Sequence, residues 1–303
     1  MDAFPQASDT GQDEAILPVR ELAPAKINLA LHVTGQRADG YHLLETIVTF
    51  ADMGDRLEFR PADEDRLTLS GRFSGAIGGG SDNLVARARD GLRALLQARG
   101  IKAPAVAVHL EKNLPVASGI GGGSADAAAT LRGLLRLWNA GDLARDEIET
   151  LALSLGADVP MCLAGRPAIA GGIGEKLSPL PDMPRFSMVL GNPLRGVSTP
   201  EVFSRLVSRN NPGIALPAAG DWMSMLAGLR NDLERPACEL VPDIRVLCDL
   251  LRDYGALLAR MSGSGATYFG IFTSMDSADR ATAALQAARP NWYFASTQTV
   301  AGS

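Results

Sequence analysis

Apolar Ile27, Leu29, Leu31 and Val33 alternate with Lys26, Asn28, Ala30 and His32. A period of two predicts a strand with one buried face, and sets Lys26 and Asn28 side by side on the other. Asp39-Gly40 predicts a turn, residues 43–50 a returning strand, and residues 56–60 and 67–70 two more strands. Ser81-Asp82-Asn83 predicts a helix cap, because Leu84, Ala88, Leu92, Leu95 and Leu96 follow at helical spacing. A strand over 106–111 runs into a glycine-rich stretch. From Ser124 the period turns helical again, through Ala128, Leu131, Leu134, Leu135 and Trp138. Ile148, Leu151, Ala152 and Leu155 form another helical stripe, closed by Gly156.

The proline-rich run at 178–184 is the best candidate boundary. It divides the chain into an N-terminal tail (1–20), a first domain (21–177) and a second (178–303). Beyond it the pattern predicts a strand at 186–190, helices near 200–207, 222–229 and 244–251, and a strand pair around 261–272. A helix over 278–288 and a last strand near 292–299 complete it, with 210–219 as a surface loop. Strands and helices mix without strict βαβ alternation, which predicts α+β rather than a doubly wound sheet.

Composition narrows the function. The 303 residues carry 29 Lys+Arg against 34 Asp+Glu, a formal charge of −5, so no cationic excess exists to neutralise a nucleic acid. Three cysteines without C-x-x-C spacing argue against a disulfide framework or structural zinc, and fit a reducing cytoplasm. No apolar run approaches the roughly 18 residues that a membrane span requires. The residues before Arg20 lack the look of a targeting peptide.

Glycine is the exception: 32 residues, bunched at 78–80, 119–123, 171–174 and 263–265. Pro115-Val116-Ala117-Ser118-Gly119-Ile120-Gly121-Gly122-Gly123-Ser124-Ala125 follows a strand and opens a helix. There, backbone N–H groups converge on an anion and the helix terminus adds partial positive charge. The loop is neither a Walker A sequence nor the dinucleotide fingerprint. Taken alone, its glycines could serve only tight packing. Ser124 offers a hydroxyl to a phosphate or a Mg²⁺ ion. Lys26 reads either as a solvated strand residue or as a functional cation. Asp158 sits in an apolar run, Leu155-Gly-Ala-Asp-Val-Pro160, and reads either as a helix N-cap before Pro160 or as a base beside a cation. Ser262-Gly-Ser-Gly-Ala266 joins two strands, as a plain hairpin or as the wall of a phosphate site. Gly78–Gly80 read as a surface loop without a role.

These pieces stand in the order of the GHMP kinases, which this chain resembles through Pro24-Ala-Lys-Ile-Asn-Leu29, residues 115–125 and Ser262-Gly-Ser-Gly-Ala-Thr267. The resemblance spans about residues 22–272. The extension Gly35-Gln-Arg-Ala-Asp-Gly-Tyr-His42, with 155–160 and 231–234, is similar to the members whose acceptor is a cytidine diphosphate-linked alcohol. The resemblance implies two α+β domains with the active site in the cleft between them, the second domain ferredoxin-like. It implies transfer of phosphate from ATP, with Mg²⁺, to a tertiary hydroxyl. Asp158 would be the catalytic base, Lys26 its charged partner, residues 115–125 the ATP loop and Ser124 the metal ligand. Asn28, Tyr41, His42, Thr199 and Phe203 would hold the substrate: Tyr41 stacked on cytosine, His42 on its edge and Phe203 on its other face. Gln36 stands where lysine is commoner in the family, Ala125 where a second serine is, and Met161-Cys162 where aromatics are. The competing readings are a homoserine- or mevalonate-type kinase and a non-catalytic nucleotide-binding protein on the same scaffold.

Overall fold

The structure is a computed structural model and describes residues 17–80, 82–216 and 221–302. Residues 1–16 of the expected tail, Ser81 of the expected cap and 217–219 of the expected loop lie outside them. Two strands of unusual length start the fold, β1 (Val19–Gln36) and β2 (His42–Pro61), antiparallel about the Asp39-Gly40 turn. β1 therefore begins two residues inside the stretch expected as tail. The two strands predicted at 43–50 and 56–60 are one. Pairing with β1 continues through Ala23–Asp55 and Pro24–Gly54. Gly54 permits this, since a Cβ there would lie 2.1 Å from the Ala23 carbonyl oxygen.

β3 (Arg66–Ser70), α1 (Leu84–Ala98), β4 (Val106–Glu111), α2 (Gly122–Leu137), α3 (Arg145–Leu155), α4 (Val159–Ala164), β5 (Ala168–Gly172) and β6 (Lys176–Pro179) complete the first domain. Its six strands run β3-β4-β2-β5-β6, with β1 on β2. β2 is the hub: β1 pairs along one edge, while β4 and β5 share the other at Arg56–Pro61 and Leu44–Val48. Asn83 is the residue that caps α1, accepting from the Val85 N–H at 2.9 Å.

The second domain follows with β7 (Ser187–Asn192), α5 (Thr199–Ser204), α6 (Trp222–Gly228), α7 (Glu234–Leu240), α8 (Asp243–Asp253), β8 (Leu258–Met261), β9 (Tyr268–Phe272), α9 (Met275–Ala288) and β10 (Tyr293–Gln298). Its antiparallel sheet is ordered β10-β7-β9-β8. With α8 and α9 as crossovers it is a split βαβ arrangement. α7, two turns long, has too short an apolar stripe to show in the pattern.

The cores explain how the domains meet. Phe59, Leu92, Leu110, Leu131 and Leu134 fill the first domain, and Leu247, Leu251, Tyr268 and Leu285 the second. A third core joins Ile27, Leu29 and Ile47 to Phe269, Ile271 and Tyr293. Both faces of β1 are thereby covered: Lys26 is 4% exposed and Asn28 2%. The expectation of a strand with one solvated face is corrected. Apolar alternation reports one buried face, and here the polar face is buried as well, against the glycine loop and the second domain.

α2 lies flat on β2 because it carries glycine where it crosses Phe59. A Cβ on Gly133 would fall 2.3 Å from that ring. Gly133→Ala should therefore destabilise the protein by about 1–3 kcal/mol, the usual effect of overpacking a core. Denaturant unfolding measures it, and unchanged stability would mean that this packing does not seat α2.

Candidate active site

The outer edge of β1 organises the site. β2 takes the other edge, so the outward N–H groups of β1 need partners from elsewhere. Lys26 N–H donates to the Ile120 carbonyl at 2.9 Å, and Leu31 N–H to the Arg230 carbonyl at 2.9 Å. Asn28 N–H donates to Ser262 Oγ at 3.0 Å, and Ser262 Oγ donates in turn to the Gly119 carbonyl at 3.0 Å. Thr267 N–H reaches the Ser118 carbonyl at 3.0 Å. The three glycine- and lysine-bearing segments, far apart in sequence, thus meet on one strand edge. Asn231 braces the last of them, donating through Nδ2 to the Met261 and Gly263 carbonyls at 2.8 Å each.

The loop between β4 and α2 turns through left-handed backbone at Gly119 (φ 75°) and Gly121 (φ 64°). A Cβ on Gly119 would lie 2.4 Å from the Ser262 carbonyl oxygen, so only glycine lets these two loops touch. Gly121 is the N-cap of α2, and no side chain caps its first turn. The first helical bond runs from Ala125 N–H to the Gly121 carbonyl, 2.8 Å. The N–H groups of the first turn are therefore left for an anion, with the helix dipole behind them.

Lys26 Nζ donates to Asp158 Oδ2 at 2.6 Å, with the ammonium buried and the carboxylate 39% exposed. The Lys26 stem packs along the loop, within 3.2–3.6 Å of where a Gly121 Cβ would be. Asp158 precedes α4 with Pro160 in its first turn, but its side chain makes no capping bond. The carboxylate that could have capped a helix is turned to the lysine instead. Beside them, Asn28 Nδ2 donates to Thr46 Oγ1 at 2.8 Å, while Asn28 Oδ1 is buried without a partner. An orphaned buried acceptor facing a cavity marks a place for a ligand donor.

These groups line a cavity of about 360 Å³ between the domains, together with loop residues 117–119 and 121–124, Gly263, Ser264, Thr199 and Phe203. A second cavity of about 410 Å³ lies across the loop, lined by Pro115, Val116, Ala117, Gly122, Gly123, Lys112 and Asp126 and by Gly78 and Gly80. Of the other residues singled out in the sequence, Ile120 and Ala125 have buried side chains, so they can face a ligand only through backbone. Thr199 Oγ1 lies 2.7 Å from Ser264 Oγ. His42 stacks on Phe203, ring centres 4.7 Å apart, so these two rings touch each other rather than flank a slot. Burial, with Arg209 adding to it, lowers the His42 pKa, which keeps the imidazole neutral, and its Nε2 has no partner. Tyr41 is 61% exposed and lies outside the cavity lining. Among the described residues, no group of three or more carboxylate, histidine or cysteine side chains could cage a metal.

One cluster escaped the sequence reading. Lys112 Nζ donates to Asp55 Oδ2 at 2.5 Å and to Asp126 Oδ2 at 2.6 Å, all three buried. Asp55 Oδ1 also accepts from the Asn113 and Leu114 N–H groups at 2.6 and 2.8 Å. This fastens the chain just before the loop. The ammonium lies 3.2 Å from where a Gly122 Cβ would be. Burial pushes the Asp126 carboxyl up to about 7, opposed by Lys112 and reinforced by Asp55. The available signal was an aspartate within an alanine run, the same kind of clue that exposed Asp158.

The GHMP kinase N-terminal domain model matches residues 83–166, and the C-terminal domain model residues 214–291. A Rhizobium johnstonii protein named 4-diphosphocytidyl-2-C-methyl-D-erythritol kinase is 62% identical over 289 residues, 94% of each chain. An Agrobacterium fabrum protein of the same name is 58% identical over 92% of this chain and 96% of its own. The chain belongs to the GHMP kinase family. A crystal structure of 4-(cytidine 5'-diphospho)-2C-methyl-D-erythritol kinase superposes with a TM-score of 0.77 at 35% identity, covering 93% of this chain and all of that one. Homoserine kinase from Cytophaga hutchinsonii shares the fold, at a TM-score of 0.65 and 17% identity. As a GHMP kinase the chain is a two-domain, ATP-using enzyme acting on a small molecule.

Removing the Lys112 ammonium would leave two carboxylates buried against each other. Lys112→Met should lower stability by about 3–5 kcal/mol, read from denaturant unfolding. Asp126 binds its proton more tightly folded than unfolded, since its pKa rises from 3.8 to about 7. The stability it contributes is full below about pH 4 and is lost as pH rises through 7. Asp126→Asn should flatten the stability profile in that window. A profile that keeps its slope would assign the titration to another group.

Proposed function

We propose that this enzyme transfers the γ-phosphoryl group of ATP to the 2-hydroxyl of 4-diphosphocytidyl-2-C-methyl-D-erythritol, a step of the non-mevalonate isoprenoid route. The observation that carries the reading is the Lys26–Asp158 pair, open to a cavity that the glycine loop also lines. The relatives' shared name supplies the acceptor.

The two cavities divide the substrates. The loop between them takes the ATP phosphates on the free N–H groups of the α2 turn, with the nucleoside in the cavity beside Lys112. The acceptor lies in the cavity of Asp158. Asp158 receives the hydroxyl proton as the oxygen attacks, and Lys26 holds that carboxylate in place. Asn28 Oδ1, orphaned without a ligand, accepts from an acceptor hydroxyl. Phosphoryl transfer needs in-line placement and charge stabilisation more than covalent help, and these groups provide both.

Mg²⁺ fits the donors present. It keeps most of its waters and takes few protein ligands, so the phosphates and the Ser124 hydroxyl suffice without a carboxylate cage. It would screen the charge of the phosphates. His42 and Phe203 form one wall of the cytosine site: the neutral imidazole offers its free Nε2 to the base edge. Tyr41, exposed without ligand, closes over the base from the opposite side.

Purified protein should consume ATP with the cytidyl substrate and not with homoserine or mevalonate; turnover of either of the latter alone would overturn the assignment. Asp158→Asn should reduce kcat by about 10²–10⁴-fold, the usual range for a lost general base, while ATP still binds. Tyr41→Ala should raise KM for the cytidyl substrate and spare kcat. An unchanged KM would remove the ring from the site.

A further inference from the structure

The glycine cluster at 171–174 has no part in the phosphate loop, yet it reaches the same cavity. β5 and β6 are joined by a tight hairpin, in which Gly174 N–H donates to the Gly171 carbonyl at 3.1 Å. Glu175 Oε2 accepts from Ile173 N–H at 2.6 Å and fixes the tip. Gly174 lies on the start of α4: a Cβ there would be 3.2 Å from Met161 Cε and 3.4 Å from the Ala157 carbonyl oxygen. Ile173, Gly174 and Met161 all line the acceptor cavity. Met161 follows Asp158 by three residues, one helical turn on.

The carboxylate has unlike neighbours in that cavity. Lys26 holds one of its oxygens, and the glycine loop, from which the phosphoryl group comes, packs against the Lys26 stem. Met161, one turn beyond Asp158 on α4, and Ile173, in the hairpin that lies on α4, add apolar lining. Leu31, Leu44, Leu84, Val197 and Leu233 are apolar lining from other elements. Asn28, Thr46, Thr199 and Ser264 offer polar partners for hydroxyls. A tertiary carbinol carries its hydroxyl, a methyl and two oxygenated arms on one carbon. With the hydroxyl at Asp158, the oxygenated arms need the polar lining, and the methyl is the substituent that an apolar wall accepts without leaving a polar group unpaired.

We infer that the Ile173–Met161 wall receives the branch methyl on the reacting carbon, and that Ile173 determines specificity for a methyl-branched acceptor. This rests on the acceptor proposed above. The geometry uses no catalytic group, so discrimination can change while the chemistry persists.

The test compares kcat/KM for the cytidyl substrate and for its analogue lacking the branch methyl, in wild type, Ile173→Ala and Ile173→Thr. Wild type should prefer the methylated compound by about 10–200-fold, the range one apolar carbon gives in a fitted pocket. Ile173→Ala should lower kcat/KM for the methylated compound about tenfold and leave the analogue within about twofold. Ile173→Thr keeps the branched shape and should lower the preference less than Ile173→Ala. Equal losses on both compounds, or an unchanged ratio, would overturn the inference, since a merely structural role moves both alike. A wild type that phosphorylates neither compound defeats the acceptor assignment, and this inference with it. A wild type active on both equally defeats this inference alone.

Discussion

The outer edge of β1 is the constraint on which the site depends. A strand with one sheet neighbour leaves alternate N–H and C=O groups unpaired, and once buried each must find a partner. Here the partners at Lys26, Asn28 and Leu31 are the glycine loop, Ser262 and the Arg230 carbonyl. Val33 N–H ends on Asp232 Oδ2 at 2.7 Å. The register of β1 shifts between Asn28 and Ala30, so outward N–H groups fall at 26 and 28 before the irregularity and at 31 and 33 after it. The first pair engages the glycine loop and Ser262, the second the segment leading into α7. One strand therefore sets both the distance between glycine loop and lysine and the seat of the second domain.

A net charge of −5 is a poor background for binding polyphosphates, and the protein meets it locally. The donors facing the loop are backbone N–H groups, fixed dipoles that need no counter-charge and do not reorganise on binding. Lys26 is matched to Asp158, so this pair adds little net field. Lys112, beneath the loop, is matched to two carboxylates and cannot act as a free cation for phosphate. Electrostatics here place charges rather than accumulate them. This explains why the bulk charge pointed away from nucleic acid without excluding a nucleotide.

The period-two pattern revealed β1, and the strand–loop–helix order around residues 115–125 was legible too, because both signals are local. What stayed hidden depends on tertiary packing. Alternation could not reveal that the polar face of β1 is covered, nor that β2 runs unbroken past Asp52 and Gly54 on the strength of its pairing with β1. Pairing Lys26 with Asp158, 132 residues away, had no local signature. It was reached through the order of motifs, with the apolar setting of Asp158 as the physical clue. Gly171–Gly174 were visible as a cluster but could be given a role only once Gly174 was seen lying against Met161 and Ala157.

Two lysine–carboxylate sites lie within one loop of each other, and burial separates their uses. Lys112 meets two aspartates, with Asp55 fully buried and also holding two N–H groups. Lys112 and Asp55 direct their bonds within the cluster, which holds the chain that enters the loop. Lys26 is as deeply buried, but its single partner keeps more than a third of its side-chain surface open to the cavity. Sequence alone shows both aspartates as acids among apolar neighbours. The number of partners and the remaining exposure separate the aspartates bound into the fold from the one that keeps a surface open.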